Sequence, residues 1–445
     1  MSTTGSDLAE RRSVARNLSA LAVAELVARA SQLAIVAILG RRLGAAGMGV
    51  IGTGWALYAI ALPWVQSAPE LVGIRELSLR PFRISIAAEI NALKLVAAAV
   101  AFAGLSAFAG LVYAGRSDYV AQVAAQASAL LAAAFGVGWV FRALEQVEVH
   151  AVLRVVYALL AVLALGVLLS LRAQPLLVPA VEFALQALVA GAGFAVLRRR
   201  ARRGRRPLRP RLLRWRSGRP LRRYGPSVLA QGVAGVSAAA TWSACIPIAG
   251  LFLSTADVGI VTAALRLCLV TNGTLLLGIQ LFLPRLTRAL SADSGHASEL
   301  VGRLLLYATL CGVGGAAALG AAAAPLCRQL LGPEFAAAAG PVRIAALALV
   351  PASAGAVFGY AILAAHRDRV FTLFMLAGAA ATVLAFPAAF AWARSPLALA
   401  VLPAVLALQT AAMGAYVFGS GLLRPVAPRP VWLAPTELRA FLGSR

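Results

Sequence analysis

The apolar positions of this chain fall into long, nearly unbroken runs, without the alternation of a half-buried strand or the one-sided stripe of a surface helix. A helix crossing a hydrocarbon layer ~30 Å thick takes about 20 mostly apolar residues, and runs of that length recur along the sequence. They predict spans near 18–39, 48–70, 86–112, 119–141, 150–171 and 175–197, and, after a polar stretch, near 226–251, 257–283, 301–325, 338–364, 370–393 and 397–421. The third, ninth and tenth are diluted by Ala and Gly, as is usual where membrane helices pack closely. The short alternating segments of a membrane barrel are not seen. The expected fold class is all-α integral membrane, with about 12 transmembrane helices in two pseudo-symmetric six-helix bundles. The bundles take residues 1–197 and 226–423, an Arg-rich linker takes 198–225, and a tail takes 424–445.

Composition sharpens this picture. Hydrophobic residues make up 61% of the chain and charged ones 13%, against about 25% charged in a soluble domain. The net charge of +25 would on its own suit a polyanion partner. Fourteen of the 41 basic residues, however, lie between Leu197 and Arg223, in the longest loop between spans. Short loops rich in Lys and Arg stay cytoplasmic. With the N-terminus inside, 31 basic residues fall on the cytoplasmic side and seven outside, so both termini and the linker are expected in the cytoplasm. The linker then serves as a topology determinant in contact with anionic lipid head groups. With only Trp215 and, just beyond it, Tyr224, it lacks a stacking platform for nucleic acid. Arg41 and Arg42, in the first outside loop, break the charge pattern and need another explanation.

Candidate chemistry is sparse. The polar N-terminus followed by a full-length span argues against a cleavable signal peptide. Cys245, Cys268, Cys311 and Cys327 are far apart and are expected as small buried hydrophobes; His150, His296 and His366 are expected in surface roles near the cytoplasm. No nucleophile elbow, P-loop, dinucleotide fingerprint or metal-ligand spacing occurs, so neither an enzyme nor a cofactor or metal is expected.

Gly49–Arg75 aligns without a gap on Gly259–Arg285, which makes the second and eighth helices equivalent. An offset of six helices keeps both halves in one orientation, so the relating axis runs along the membrane normal, with a cavity between the halves. Ionisable groups in hydrocarbon are costly, so those in the spans are the candidate cavity residues. Span 1 carries Glu25, Arg29 and Gln32 on one helical face, either facing the cavity or pairing among themselves. Span 8 carries Arg266 with Gln280 on the same face and no carboxylate at helical spacing. A fixed cation there calls for an anion, either a substrate or a carboxylate of another helix. Weaker candidates are Glu89 and Lys94 in span 3, Glu182 with Gln186 in span 6, and Gln231 in span 7; Lys94 is expected to snorkel to the cytoplasmic surface.

The opening "ARNLSALAVAELVARASQLAIVAILGRRLGAAGMGVIG" resembles that of the polysaccharide transporters, including O-antigen flippases, of the multidrug/oligosaccharidyl-lipid/polysaccharide (MOP) exporter superfamily, whose first two helices meet in an R-x-L-G turn. Arg41, Leu43, Gly44 and Gly49 fit that turn, which accounts for the arginines outside. "GWVFRALEQVEVHAVLRVV", "ADVGIVTAALRL", "LPRLTRAL" and "LLGPEFAAAAGPVRIAALALVPAS" extend the resemblance in order along almost the whole chain. It implies a flippase of the bacterial inner membrane that moves a lipid-linked oligosaccharide on an undecaprenyl pyrophosphate carrier. The binding residues it suggests are Arg29 and Arg266, with Gln32, Gln231 and Gln280 beside them. Glu25 would couple transport to protons or sodium, and a polysaccharide polymerase and glycosyltransferases would be partners. The alternatives are a multidrug or cation antiporter of the same superfamily, and a membrane glycosyltransferase or polymerase.

Overall fold

The computed structural model describes the backbone of residues 3–80, 85–203, 219–280, 286 and 294–423. Side chains are described within those ranges apart from residues 3–22, 200–203, 219, 278–280 and 294–296. The Arg-rich segment 204–218, the tail from 424 and the side chain of Gln280 thus lie outside the described residues.

The described residues are almost all helical, and no strand occurs among them. The first half comprises α1 (Thr3–Leu62), α2 (Ala68–Leu79), α3 (Ser85–Val112), α4 (Ser117–Ala134), α5 (Gly138–Ala143), α6 (Val147–Leu171) and α7 (Leu177–Arg203). The second comprises α8 (Arg219–Ser243), α9 (Cys245–Phe252), α10 (Thr255–Gln280), α11 (Ser294–Pro325), α12 (Ala339–Ala346), α13 (Leu349–Ala364), α14 (Asp368–Ala393) and α15 (Val401–Gly419). Among the described residues, ten helical segments are long and apolar enough to cross a membrane, and the pair α8 and α9, bent by 45°, makes an eleventh. One of the ten, Val23–Leu79, is 57 residues long, roughly 85 Å of helix at 1.5 Å per residue and far more than one crossing needs. It breaks at Gly44, where φ is +65°, so it supplies two crossings, and the protein is a multi-pass membrane protein.

Several predicted spans are broken where the sequence reading drew them straight. Pro63 opens a π-helical turn at Pro63–Ser67 inside the second crossing, because proline offers no N–H to the helical ladder. The fourth crossing breaks between α4 and α5, and the ninth ends in a second π-helical turn at Leu326–Leu331. Cys245, Cys268 and Cys327 are buried as expected, but Cys311 is exposed on the outer surface of α11, and His150 is half-buried.

The two halves repeat each other in detail. A Cβ on Gly49 would lie 2.0 Å from the carbonyl oxygen of Thr255, and one on Gly259 would lie 1.8 Å from that of Ala45. The same offset that aligns the two sequence segments converts one contact into the other, so the pseudo-two-fold axis passes between α1 and α10. Gly52 and Thr262, also equivalent, meet face to face on it. Equivalent turns recur too: Glu145, after α5, and His366, after α13, both take left-handed φ values, 58° and 57°. In each turn the following amide reaches back to the helix, from Gln146 to Phe141 and from Arg367 to Ile362, the closing bond of a Schellman cap. A non-glycine residue in that conformation costs about 1–2 kcal/mol, so His366→Gly is expected to stabilise the protein by about 1 kcal/mol in thermal unfolding.

Successive crossings alternate in direction, which places the turns at Gly44, Arg116, Leu253, Gly332 and Arg394 on one face of the bundle, opposite the N-terminal face. On this opposite face the halves are stapled twice. Arg41 donates from Nε to Leu330 O at 3.0 Å and from Nη2 to Gln329 O, while Glu334 Oε2 accepts from Ala45 N at 3.1 Å. In the other seam Arg116 Nη1 donates to Gly250 O at 2.7 Å and Tyr113 OH to Pro247 O at 2.6 Å. Both arginines serve the last carbonyls of a helix in the other half, where cations are favoured. Arg41 is thus a structural part of the turn and not a topology signal.

Candidate functional site

Two groups of polar side chains lie inside the apolar bundle. The first, toward the N-terminal face, is a chain of alternating charges. Glu25 on α1 is held by two guanidiniums, Arg29 one turn on at 2.7 Å and Arg154 of α6 at 2.5 Å. Glu70 on α2 is held by Lys94 of α3 at 2.9 Å and Arg142 of α5 at 2.8 Å. The two carboxylates are linked electrostatically, because Arg154 lies within range of Arg29 and Arg142, and His150 within range of Arg142, Arg154 and Glu70. Four cations therefore sit on two carboxylates. The arginines are not sealed in: their side chains are 26% (Arg29), 38% (Arg154) and 40% (Arg142) exposed.

Lys94 behaves otherwise than expected. Its side chain is fully buried, giving Nζ to Glu70 and, at 2.8 Å, to the carbonyl of Gly136, so it does not snorkel. Gly136 falls in the break between α4 and α5, where a carbonyl is free of the helical ladder. The local interruption of the fourth crossing thus supplies the second ligand of a buried ammonium.

The second group lies deeper, around Arg266 of α10. Its guanidinium stacks on the Trp55 ring at 4.3 Å from the centroid, and its Nε is buried without a hydrogen-bond partner among the described residues. Trp55 in turn donates from Nε1 to Glu182 Oε1 at 2.7 Å, and Gln126 donates to Glu182 Oε2 at 2.5 Å. The indole therefore separates Arg266 from Glu182, its electrostatic partner, and the two make no ion pair within 4.0 Å. Gln186, one turn after Glu182, donates to Tyr58 OH at 3.0 Å.

The two arginines that the sequence singles out are thus placed differently. Arg29 pairs with Glu25 and lies on the backbone of α10, where a Cβ on Gly273 would meet its Nη1 at 2.3 Å. Arg266 has a carboxylate from another helix nearby, but reaches it only through an aromatic ring. Gln32 and Gln231 are exposed and carry no hydrogen bond among the described residues. Glu89 is half-buried within electrostatic range of Tyr224 of α8. Sequence reasoning did not single out Glu70, Trp55, Gln126, Arg142 or Arg154. Gln122 and Gln126, four residues apart in an apolar span, gave the same kind of signal as Glu182 and Gln186.

No family model matches the sequence, and no curated protein matches it. Solved structures match over nearly the full length. The lipid II flippase MurJ in an inward closed conformation superposes with a TM-score of 0.64 at 9% identity, over 90% of this chain and 87% of the flippase. An inward-facing multidrug resistance MATE family transporter of the MOP superfamily gives 0.61 at 13% identity, over 91% of this chain and 96% of the other. The MATE multidrug transporter DinF-BH gives 0.59 at 14% identity, over 91% of this chain and 95% of the other. The chain thus has the all-α membrane fold of these solved structures.

Proposed function

We propose that this protein is a transporter of the flippase type, moving an anionic lipid-linked oligosaccharide across the bacterial inner membrane. Its termini would be cytoplasmic, and residues 1–197 and 226–423 would rock against each other. The observation that carries this reading is the surplus of cations in the bundle. Two carboxylates hold Arg29, Lys94, Arg142 and Arg154, of which the three arginines remain partly exposed, and Arg266 lies further along with no ion pair among the described residues. A pyrophosphate would exchange its hydration for these charge-assisted contacts, while a polyprenyl tail stays in lipid. The opposite face is stapled at both seams, so in this reading a head group would enter from the N-terminal face. By the positive-inside rule that face is cytoplasmic, where lipid-linked sugars would be loaded. A polymerase and glycosyltransferases would then be its functional partners.

The test is the pool of lipid-linked glycan in a deletion strain complemented with wild type, Arg29→Ala, Arg154→Ala or Arg266→Ala. Wild type is expected to clear the accumulated intermediate. Each arginine variant, expressed normally, is expected to lose at least ~30-fold in rate, the equivalent of about 2 kcal/mol for a desolvated charge contact. Unchanged pools with altered drug sensitivity would favour a cation exporter. One observation speaks for that second reading: Glu182 lies within range of Tyr58 and Tyr157 and is bonded to Trp55, an aromatic frame of the kind that receives organic cations.

A further inference from the structure

Trp55 meets two opposite charges at once. The Arg266 guanidinium of α10 lies 4.3 Å from the centre of its ring face, and its Nε1 donates to Glu182 Oε1 of α7 at 2.7 Å. An aromatic ring is negative on its faces and positive at its edge, so the indole turns the matching pole to each ion. It combines the strongest cation-binding face among side chains with an N–H donor at the rim. Without the ring these two charges would join. Opposite charges in a medium of low dielectric attract over several ångströms, and no basic group lies within 4.0 Å of Glu182 among the described residues to compete for it. An arginine fork fits a carboxylate in two parallel bonds, and a guanidinium so engaged has little left to offer another anion.

Packing alone does not call for an indole here. The offset that carries Gly49 onto Gly259 carries Trp55 onto Leu265 and Arg266 onto Ala56. Leu265 is fully buried and Ala56 nearly so. The scaffold thus fills the equivalent place in the other half with leucine, where no arginine stands beside it. Trp55 follows Gly52 by three residues on α1, and Arg266 follows Thr262 by four on α10. The stack therefore lies about one turn from the Gly52–Thr262 contact on the axis, with the ring in one half and the cation in the other.

We infer that Trp55 is a positioning residue, a spacer that holds Arg266 off Glu182 and so keeps the guanidinium open to an anionic group of the transported molecule. Gln126 steadies the carboxylate from its other oxygen at 2.5 Å, so the indole and the amide together take up Glu182 without a basic group. Arg266 is left half-buried, its Nε without a hydrogen-bond partner among the described residues. The spacing itself is independent of what is carried, whereas the anion that Arg266 receives rests on the flippase reading.

A structure of the ligand-free Trp55→Leu variant reads the spacing, and titration of the full chain in nanodiscs with inorganic pyrophosphate reads its consequence. In Trp55→Leu the Arg266 guanidinium is expected at ion-pair distance from Glu182, and pyrophosphate is expected to bind at least ~10-fold more weakly. Trp55→Leu/Glu182→Gln removes the competing carboxylate and should recover most of that loss. A merely structural role would not give this rescue, because the double variant lacks the ring as well. Trp55→Phe keeps the stacked face and loses only the N–H. It should show a smaller loss with the same rescue, and it serves if Trp55→Leu does not fold. A guanidinium that stays in place when the ring is removed, or a loss of affinity that Glu182→Gln does not relieve, overturns the proposal. If the guanidinium moves but wild type binds no pyrophosphate, the spacer stands and the flippase reading fails.

Discussion

Replacing Glu70 with glutamine is expected to destabilise the protein by about 3–5 kcal/mol, the usual penalty for stranding one member of a buried pair. Lys94 is fully buried, and with glutamine at 70 its ammonium keeps only neutral acceptors, the amide oxygen and the carbonyl of Gly136. Arg142, 40% exposed, can turn toward water, so the cost falls on the lysine. The double variant Glu70→Leu/Lys94→Met should recover most of the loss, because two apolar side chains of similar volume remove both desolvated charges together. Thermal unfolding of purified protein in lipid reads both effects. A Glu70→Gln variant that unfolds at the wild-type temperature would mean that Lys94 reaches water, and the interior charge chain would need to be redrawn.

Adding a side chain at the axis is expected to be as severe, but to act on conformation. In Gly259→Val the new Cβ would have to lie 1.8 Å from the carbonyl oxygen of Ala45, and in Gly49→Val 2.0 Å from that of Thr255. No rotamer relieves a clash with backbone, so α1 and α10 must part on the face opposite the N-terminus. Overpacking costs about 1–3 kcal/mol, enough to shift a two-state equilibrium by roughly 5- to 150-fold toward a state open on that face. Spin labels at Ser117 and Leu251, flanking the Arg116–Gly250 contact, should report a longer distance in both variants. The two should behave alike because their contacts are related by the pseudo-two-fold. Unchanged distances in either variant would show that the clasp does not hold this face closed.

Much of the architecture is legible in the sequence, because hydrocarbon imposes a local rule. Every backbone amide must be satisfied within its own helix, so the number of spans follows from apolar run length. The turn at Gly44 and the equivalence of Gly49 with Gly259 also show in one dimension, since a left-handed φ and a close helix approach both demand glycine. Arg266 and the Glu25–Arg29 pair stand out for a similar reason: charge in an apolar run is costly wherever it points.

What each charge meets was decided by tertiary structure alone. Glu70 finds Lys94 and Arg142, Glu25 finds Arg154, and Trp55 comes between Arg266 and Glu182 through contacts across dozens to hundreds of positions. Periodicity says which face of a helix a residue occupies, but not which neighbour that face meets. For the same reason the sequence reading sent Lys94 to the surface. An isolated lysine near a helix end is cheapest when it snorkels, and only the packing of α2 and the break at Gly136 bring it a carboxylate and a free carbonyl deep in the bundle. The sequence determines that the chain crosses the membrane and carries cations inside it; the packing determines which carboxylates those cations neutralise and which remain without a partner.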